Sequence, residues 1–489
     1  MACYKVGVLE MSCFTTNVLK LATGNVLAQA LTILLFPIIT RLYSPGDYGI
    51  LVLLIAISST LVTVSCLSYE FSIMLPKEEK DSAIIVVLCF ILICLVSIIS
   101  GSVFILLSSP IEKLLNAPGI SHYMIFLPAV VLLSGLFIVM NYWLSRRIQF
   151  GVIATAAVAL PILTKAIQIF FALGSTSPRG LIIGAIAGYA GALVVMLYGI
   201  KDDLPFFKGI SLVDIKRLAV RYKRFPLFNS WSALANMASL QIAPLMLATF
   251  FSPVVAGLFG MANAIANTPM SLIGASIGQV FFQKASEEKN QRGCIKEVVR
   301  EVHRRLVSFG LFPILVLMII GEDLFGLVFG TQWSAAGEYA RILAPWIFLV
   351  FIASPLTTIF SVLEKQQIGL YFNLLILISR FTVLYIGGRY GNIFATLVLY
   401  SITGMLFWGI MNLYILKISG VPYREAIEDF MRPFFIAAII AIPIILIKFL
   451  MLSIYLLFLV SGIMTVTYYA IIIFQDPLLK EQCKKFLRG

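Results

Sequence analysis

Two basic residues lie deep inside apolar segments of this sequence, and they are the strongest candidates for binding a ligand within those segments. Lys165 lies in LPILTKAIQIFF and Arg380 in LLILISRFTVLYIGG. A charge at the centre of a bilayer costs on the order of 3 kcal/mol, so such a side chain normally faces a cavity or a partner. No Asp or Glu lies equally deep in an apolar segment. The two cations therefore predict a site for an anion, and the guanidinium of Arg380 matches phosphate oxygens.

Other basic residues and a structural alternative must be weighed beside this interpretation. Lys165 and Arg380 could instead satisfy backbone carbonyls freed at a helix break, since Pro161 lies close to Lys165. Arg146 and Arg147, at the predicted inner end of span four, are a second candidate contact for a phosphate headgroup. Such arginines more commonly anchor a span at the membrane surface.

The elements that must position these residues are membrane spans. With 60% hydrophobic residues, 12% charged residues and a mean hydropathy of +1.01, the chain is not a soluble globule. A span needs about 20 apolar residues to cross about 30 Å of hydrocarbon. We predict an all-α, polytopic membrane protein with about 14 spans, twelve or thirteen being the alternatives: 22–41, 48–66, 83–107, 123–143, 153–173, 180–200, 227–250, 257–282, 304–320, 341–363, 368–388, 393–415, 433–449 and 452–474.

The net charge of +13 is explained by membrane topology rather than by nucleic-acid binding. With both termini placed in the cytoplasm, most lysines and arginines fall in segments on the cytoplasmic side, as the positive-inside rule requires. The richest of these segments are 201–226 and 284–303. The opposite side carries isolated cations only: Arg41, Lys113, Arg179, Arg341, Arg389 and Lys448.

Signatures of enzyme, metal or cofactor chemistry are missing from the sequence. It contains no GxxxxGK[ST] string for phosphates, and we expect its two histidines, His122 and His303, at loop edges without a carboxylate or cysteine cluster. The seven cysteines include no CxxC pair, and they fall in spans or in segments predicted to be cytoplasmic. We therefore predict no catalytic residue, no metal, no cofactor and no disulfide framework.

A repeated turn predicts the domain organisation. SPGDYG, residues 44–49, and SPVVAG, residues 252–257, each follow an apolar run that contains a proline. Six spans separate the two turns, so both copies run the same way through the membrane, as in a parallel repeat of two lobes. We predict an N-lobe over 1–200, a basic cytoplasmic linker over 201–226, a C-lobe over 227–417, and two extra spans with a tail over 418–489. Lys165 and Arg380 then lie on equivalent spans, five and eleven.

Three stretches resemble a known family. FPIITRLYSPGDYGILVLL, SYEFSIMLPKEEKDSA and ASIGQVFFQKASE are similar to segments of Wzx-type polysaccharide and O-antigen flippases, in the multidrug/oligosaccharidyl-lipid/polysaccharide exporter (MOP) superfamily. The resemblance covers about residues 20–420. It implies a two-lobed helical transporter of the bacterial inner membrane that works by alternating access through a central cavity.

The resemblance also implies a cargo and partners. The cargo is an undecaprenyl-diphosphate-linked oligosaccharide moved from the inner to the outer leaflet, and we expect Lys165 and Arg380 to face it, one from each lobe. Glu70 matches an acidic position of the family, which implies gating through an ion pair or a proton site; a solvated loop charge is the alternative. Membrane lipids, and a polymerase and chain-length proteins of the same pathway, are the other expected partners.

Four other functions compete with this one. A drug or organic-cation antiporter would need carboxylates in its spans, and span one, ATGNVLAQALTILLFPIIT, has none. A flippase for a lipid-linked peptidoglycan precursor is the nearer alternative, because its cargo is also a diphosphate. A membrane glycosyltransferase or polymerase would be expected to show an acidic motif or a large outside loop. A scaffold without transport would leave the buried cations without a purpose.

The topology predicts which residues a reagent can reach from outside the cell. In a cysteine-free background, Asn116→Cys and Glu338→Cys should react with a membrane-impermeant thiol reagent in intact cells, because both lie in predicted outside loops. Lys216→Cys should react only after the membrane is opened. Labelling of residue 216 in intact cells would reverse the predicted orientation.

Overall fold

The computed structural model describes residues 23–475 except 293 and 364, and these residues form helices and turns with no β-strand among them. The predicted cytoplasmic termini, 1–22 and 476–489, lie outside the described residues. The helices are α1 Thr23–Leu42, α2 Pro45–Ser65, α3 Glu79–Leu106, α4 Ser108–Leu114, α5 Leu127–Arg146, α6 Phe150–Gly174, α7 Pro178–Gly199, α8 Leu212–Arg221, α9 Ser230–Phe250, α10 Pro253–Arg292, α11 Lys296–Phe329, α12 Ser334–Ala353, α13 Ile359–Val362, α14 Gln366–Arg389, α15 Ile393–Ile418, α16 Tyr423–Phe449 and α17 Ile454–Gln475.

The prediction of an all-α polytopic membrane protein is confirmed. Within the described ranges, thirteen helical segments are long and apolar enough to cross a membrane. The remaining predicted span, 257–282, lies in α10, which has 40 residues but is interrupted by polar side chains. Asn267 donates to Asn263 one turn away, at 2.6 Å. An amide pair of this kind lowers the hydropathy of α10 without breaking the helix.

The chain divides after Gly260 into two compact units. In the first unit α2 packs against α9 and α5, α3 packs against α5, and α6 lies along α7. In the second unit α11 packs against α12 and α16, α12 and α14 both pack against α15, and α17 contacts α11 and α16. The helices that carry Lys165 and Arg380, α6 and α14, thus lie in different units, each against the helix that follows it.

The two basic segments between spans are mostly helical. The segment 201–226 contains a 3-10 helix, Lys201–Phe207, then α8, and it ends where a π-helical turn leads into α9. The segment 284–303 is largely helical, because α10 continues to Arg292 and α11 begins at Lys296. Lys, Arg and Glu favour helices, and α16 supplies carboxylates to the first turns of α11. His303, expected at a loop edge, is therefore buried within α11.

Both copies of the repeated turn begin a helix in the same way. Ser44 caps α2: its hydroxyl accepts a hydrogen bond from the backbone N–H of Asp47 at 3.1 Å, and the Asp47 carboxylate accepts from the backbone N–H of Ser44. Ser252 accepts from the N–H of Val255 at 3.4 Å ahead of α10. Proline fits the first helical position that follows each serine. The Ser-Pro pair therefore stops one helix and starts the next.

The glycine of each copy lets the two turns touch. A Cβ atom on Gly49 would overlap the backbone carbonyl of Pro253, and a Cβ on Gly257 would overlap the carbonyl of Pro45. The Cβ of residue 257 would also lie 3.0 Å from the Cα of Gly49. The first turns of α2 and α10 therefore cross with their backbones in contact, inside the first unit. The glycine of each copy of the motif leaves room for the proline carbonyl of the other copy. We call this contact the glycine crossing.

The glycine crossing predicts a sharp difference between two similar substitutions. Gly49→Ala should lower stability, because overpacking against a backbone carbonyl costs about 1–3 kcal/mol. Gly46→Ala is the matched control, since its Cβ would meet only Val254 and Ser44, at 3.5 and 3.7 Å. Both changes gain the same helix propensity. Thermal unfolding of the purified protein in detergent should give a lower midpoint for Gly49→Ala only; equal midpoints for the two variants would show that the crossing is loose.

Candidate functional site

Lys165 is a buried cation in the middle of α6. Its side chain is 9% exposed, and its Nζ donates to the Oε1 of Gln168 at 3.2 Å. The ammonium also lies 5.2 Å from the centre of the Phe36 ring, on α1. None of the described residues forms an ion pair with Lys165. An amide oxygen and an aromatic face together solvate this charge without neutralising it.

Gln168 holds this arrangement in place. Its Nε2 donates to the carbonyl of Leu181 on α7 at 3.0 Å, which aims its Oε1 at Lys165. The Tyr43 hydroxyl donates to the backbone carbonyl of Gln168 at 2.7 Å. Sequence reasoning missed Gln168, although a glutamine three residues after a buried lysine lies on the same helix face.

Arg380 lies near the middle of α14 and contacts two aromatic rings. Its guanidinium carbon is 5.4 Å from the centre of the Trp346 ring on α12 and 5.6 Å from that of Tyr400 on α15. The two rings are perpendicular to each other, 5.2 Å apart. The indole N–H of Trp346 is buried without a hydrogen-bond partner among the described residues. The faces of the two rings stabilise the cation. The Trp346 N–H is a hydrogen-bond donor that a ligand could use.

The two cations occupy similar depths on their helices. Lys165 lies fifteen residues after Phe150, where α6 begins, and Arg380 lies fourteen residues after Gln366, where α14 begins. Both helices have the following helix as a close neighbour. Each unit thus presents one cation, next to aromatic side chains, about midway along a membrane-spanning helix.

Arg146 is engaged in contacts that join α5 to α3. Its Nε lies 3.1 Å from a carboxylate oxygen of Glu79, and its Nη2 donates to the carbonyl of Pro76 at 2.8 Å. A third bond reaches the carbonyl of Ile73 at 3.2 Å. These contacts use the donors of Arg146 within the protein, so binding of a phosphate headgroup by this residue remains a prediction.

Arg147 is held by a buried carboxylate. Its guanidinium lies 2.9 Å from Asp203, which is 1% exposed and also accepts the indole N–H of Trp143 at 3.0 Å. The ring of Phe206 covers the guanidinium at 5.4 Å. The network ties the end of α5 to the 3-10 helix that follows α7. A headgroup contact by Arg147 also stays a prediction. No sequence pattern indicates that Asp203 is the partner of Arg147.

Glu70 lies in a 3-10 helix, Tyr69–Met74, between α2 and α3. Its Oε2 is buried and has no hydrogen-bond partner among the described residues. Burial raises the pKa of Glu70 from 4.5 to about 7, although a hydrogen bond from its own backbone N–H partly opposes the rise. No described lysine or arginine forms an ion pair with it. The proton site, the gating ion pair and the solvated loop charge all stay predictions for Glu70.

No metal centre is formed in the part of the chain that the structure describes, since no group of His, Cys, Asp and Glu could hold an ion there. Four cysteines of this part, Cys66, Cys89, Cys94 and Cys294, are free thiols. The polar contacts described above, from cations and hydrogen-bond donors within membrane-spanning helices, are of the kind that can bind an anion.

Similarity to solved structures defines the class of fold. A structure of the lipid II flippase MurJ in an inward closed conformation has a TM-score of 0.71 at 12% identity, and the match covers 93% of this chain and 99% of that one. An inward-facing multidrug resistance MATE family transporter of the MOP superfamily has a TM-score of 0.62 at 14% identity, with 80% and 95% covered. A MOP superfamily transporter from Pyrococcus furiosus gives 0.57 at 14%, with 83% and 96% covered. At these identities the similarity establishes the fold alone.

The family follows from the sequence model that matches this chain. Residues 38–338, more than half of the chain, match the family described as polysaccharide biosynthesis protein. The chain belongs to this family, which confirms the resemblance to polysaccharide flippases predicted from the sequence. No curated protein sequence matches the chain significantly.

The raised pKa of Glu70 predicts how stability depends on pH. An acid whose pKa is higher in the folded state contributes stability at low pH, and loses it as pH rises from about 4.5 through about 7. Between pH 5 and 8 the wild type should lose on the order of 2 kcal/mol relative to Glu70→Gln, which cannot ionise. Unfolding in detergent at several pH values measures this difference.

The control for this measurement is Glu78→Gln, which removes an exposed carboxylate nearby. It should keep the pH dependence of the wild type. If the free energy of unfolding varied with pH in the same way in the wild type and in Glu70→Gln, Glu70 would be a solvated carboxylate with an ordinary pKa.

Proposed function

We propose that this protein flips an undecaprenyl-diphosphate-linked oligosaccharide unit, of O-antigen or a related polysaccharide, from the inner to the outer leaflet by alternating access. Membership of the polysaccharide biosynthesis protein family supports the cargo class. The observation that carries the proposal is the charge of Lys165, buried in a membrane-spanning helix without an ion-pair partner among the described residues. An anionic cargo gives that charge a purpose.

Lys165 and Arg380 are proposed to contact the diphosphate as it reorients. A charge-assisted hydrogen bond contributes about 1.5–3 kcal/mol. A single such bond from each cation holds a diphosphate firmly enough to select it and weakly enough to release it. Aromatic neighbours, Phe36 beside Lys165 and Trp346 beside Arg380, stabilise each cation after the cargo has left. For Arg146 and Arg147 we favour an anchoring role, because each has a carboxylate partner.

The proposal also assigns a place and a coupling residue. We place the protein in the bacterial inner membrane with both termini cytoplasmic, near a polymerase and chain-length proteins that would use its product. Glu70, with a pKa of about 7, is proposed as the group that binds a proton during the cycle. A proton taken up on one side and lost on the other would tie cargo movement to the proton gradient.

A flippase for a lipid-linked peptidoglycan precursor remains the alternative, since the same cations would hold its diphosphate. Deletion of the gene separates the two functions. Loss of surface polysaccharide, with polysaccharide units accumulating on lipid at the cytoplasmic face, supports the proposal. Accumulation of peptidoglycan precursor supports the alternative. Loss of polymer with no accumulation on the cytoplasmic face would indicate a polymerase or glycosyltransferase.

The two cations yield a prediction for transport. In a deletion strain, Lys165→Ala and Arg380→Ala should each reduce surface polysaccharide at least tenfold at normal membrane protein levels, because a neutral residue inserts more easily than a charge. Arg380→Lys should keep partial activity, since it retains the charge but loses the planar fork.

The matched control is Arg389→Ala, which removes an exposed arginine from the last turn of α14, the helix that carries Arg380. It should complement the deletion fully. Full complementation by both Lys165→Ala and Arg380→Ala would make the two cations structural and remove the basis of the proposal.

A further inference from the structure

A small pocket lies where α11, α16 and α17 meet. Its volume is about 100 Å³. Three arginines line it together with apolar and acidic side chains: Arg304, Arg305, Arg432, Ser308, Phe309, Pro433, Ile472, Gln475, Glu428 and Asp429. All three helix ends at the pocket are predicted to lie on the cytoplasmic side. The transport site proposed above uses none of these residues.

The two carboxylates of the pocket are engaged by arginines that do not line it. Arg300 binds Asp429, with Nε to Oδ2 at 2.7 Å and a second bond at 3.3 Å. Arg424 binds Glu428 at 3.1 Å, one helical turn away. Each carboxylate of the lining is therefore paired with an arginine outside the lining.

The lining of the pocket contains three arginines and two carboxylates. Arg304 and Arg305 both bind the carboxylate of Glu301, at 2.8 and 2.6 Å. Arg432 is exposed and forms no hydrogen bond or ion pair with a described residue. The lining therefore has one more positive than negative side chain, and Arg432 has its donors available to a ligand.

An apolar stripe leads away from Arg432 along α16. The spacing of three or four residues places these side chains on one helix face with Arg432, and all of them are exposed: Phe435, Ile439, Ile442 and Leu446. A positive pocket at the head of an exposed apolar stripe matches a molecule with an anionic end and a hydrocarbon chain.

We propose that this pocket binds the phosphate of an anionic glycerophospholipid, with an acyl chain along the stripe of α16. The volume suits a single phosphate group, whereas a free phosphate would make no use of the stripe. Basic pockets between membrane helices at the cytoplasmic surface recognise lipid headgroups in this way. The bound lipid would join α11 to α16 and α17 and neutralise the arginines at the membrane surface.

The test is native mass spectrometry of the full-length protein, delipidated in detergent and titrated with phosphatidylglycerol or phosphatidylethanolamine. The wild type should bind the first phosphatidylglycerol at least tenfold more tightly than phosphatidylethanolamine. Arg432→Gln and Arg305→Gln should each remove most of this preference. The control is Lys417→Gln, an exposed cation at the end of α15 that does not line the pocket, and it should retain the preference.

Competition separates the possible sources of the phosphate. Undecaprenyl diphosphate and inorganic phosphate, at the concentration of lipid used, should leave the bound phosphatidylglycerol in place. Displacement by either would overturn the proposal in favour of cargo or a free anion. Equal lipid preference in the wild type and in both arginine variants would also overturn it. Because lipid retention is measured without transport, neither result bears on the flippase function.

Discussion

Hydrocarbon does not solvate charge, and this constraint decides where most ionic groups of the described residues lie. At one end of α11, Lys448 reaches Asp323 at 2.8 Å and a backbone carbonyl at 2.6 Å. At the other end, Lys296 and Arg300 bind carboxylates of α16. Between such ends the helices are free to pack through apolar side chains. A charge that departs from this pattern stands out for that reason, and Lys165 is the clearest case.

The fold class follows from the sequence because hydropathy is a local property. The depth of Lys165 and Arg380 is local in the same sense, since it needs only the distance to each end of an apolar run. Partners across the fold are not local. Asp203 follows Arg147 by 56 residues, and nothing in the intervening sequence indicates that they meet. The carboxylates that bind Lys296 and Arg300 at the start of α11 belong to α16, which is also distant in the sequence.

The contacts around the candidate site also fall into two groups: those that local spacing in the sequence predicts, and those made by residues from other helices. The cap of α2 could be predicted, because Ser44 and Asp47 have the spacing of a capping box. Gln168 could have been found from its helical spacing to Lys165. The aromatic neighbours of both cations could not, since Phe36, Trp346 and Tyr400 come from other helices. In a chain with 12% aromatic residues, the identity of those few rings depends on tertiary packing alone.

The glycine crossing has a consequence for how such a protein can evolve. Gly49 and Gly257 already have the smallest possible side chain, and the carbonyls they meet belong to the backbone. Mutation at either position can therefore only push the two helices apart and can never draw them closer. Selection that adjusts the strength of this contact must act on the surrounding side chains, such as Val52, which lies against Gly260, and Val254, which lies near Gly46. The two glycines set the closest approach that α2 and α10 can reach. The neighbouring side chains determine how near to that closest approach the two helices actually lie.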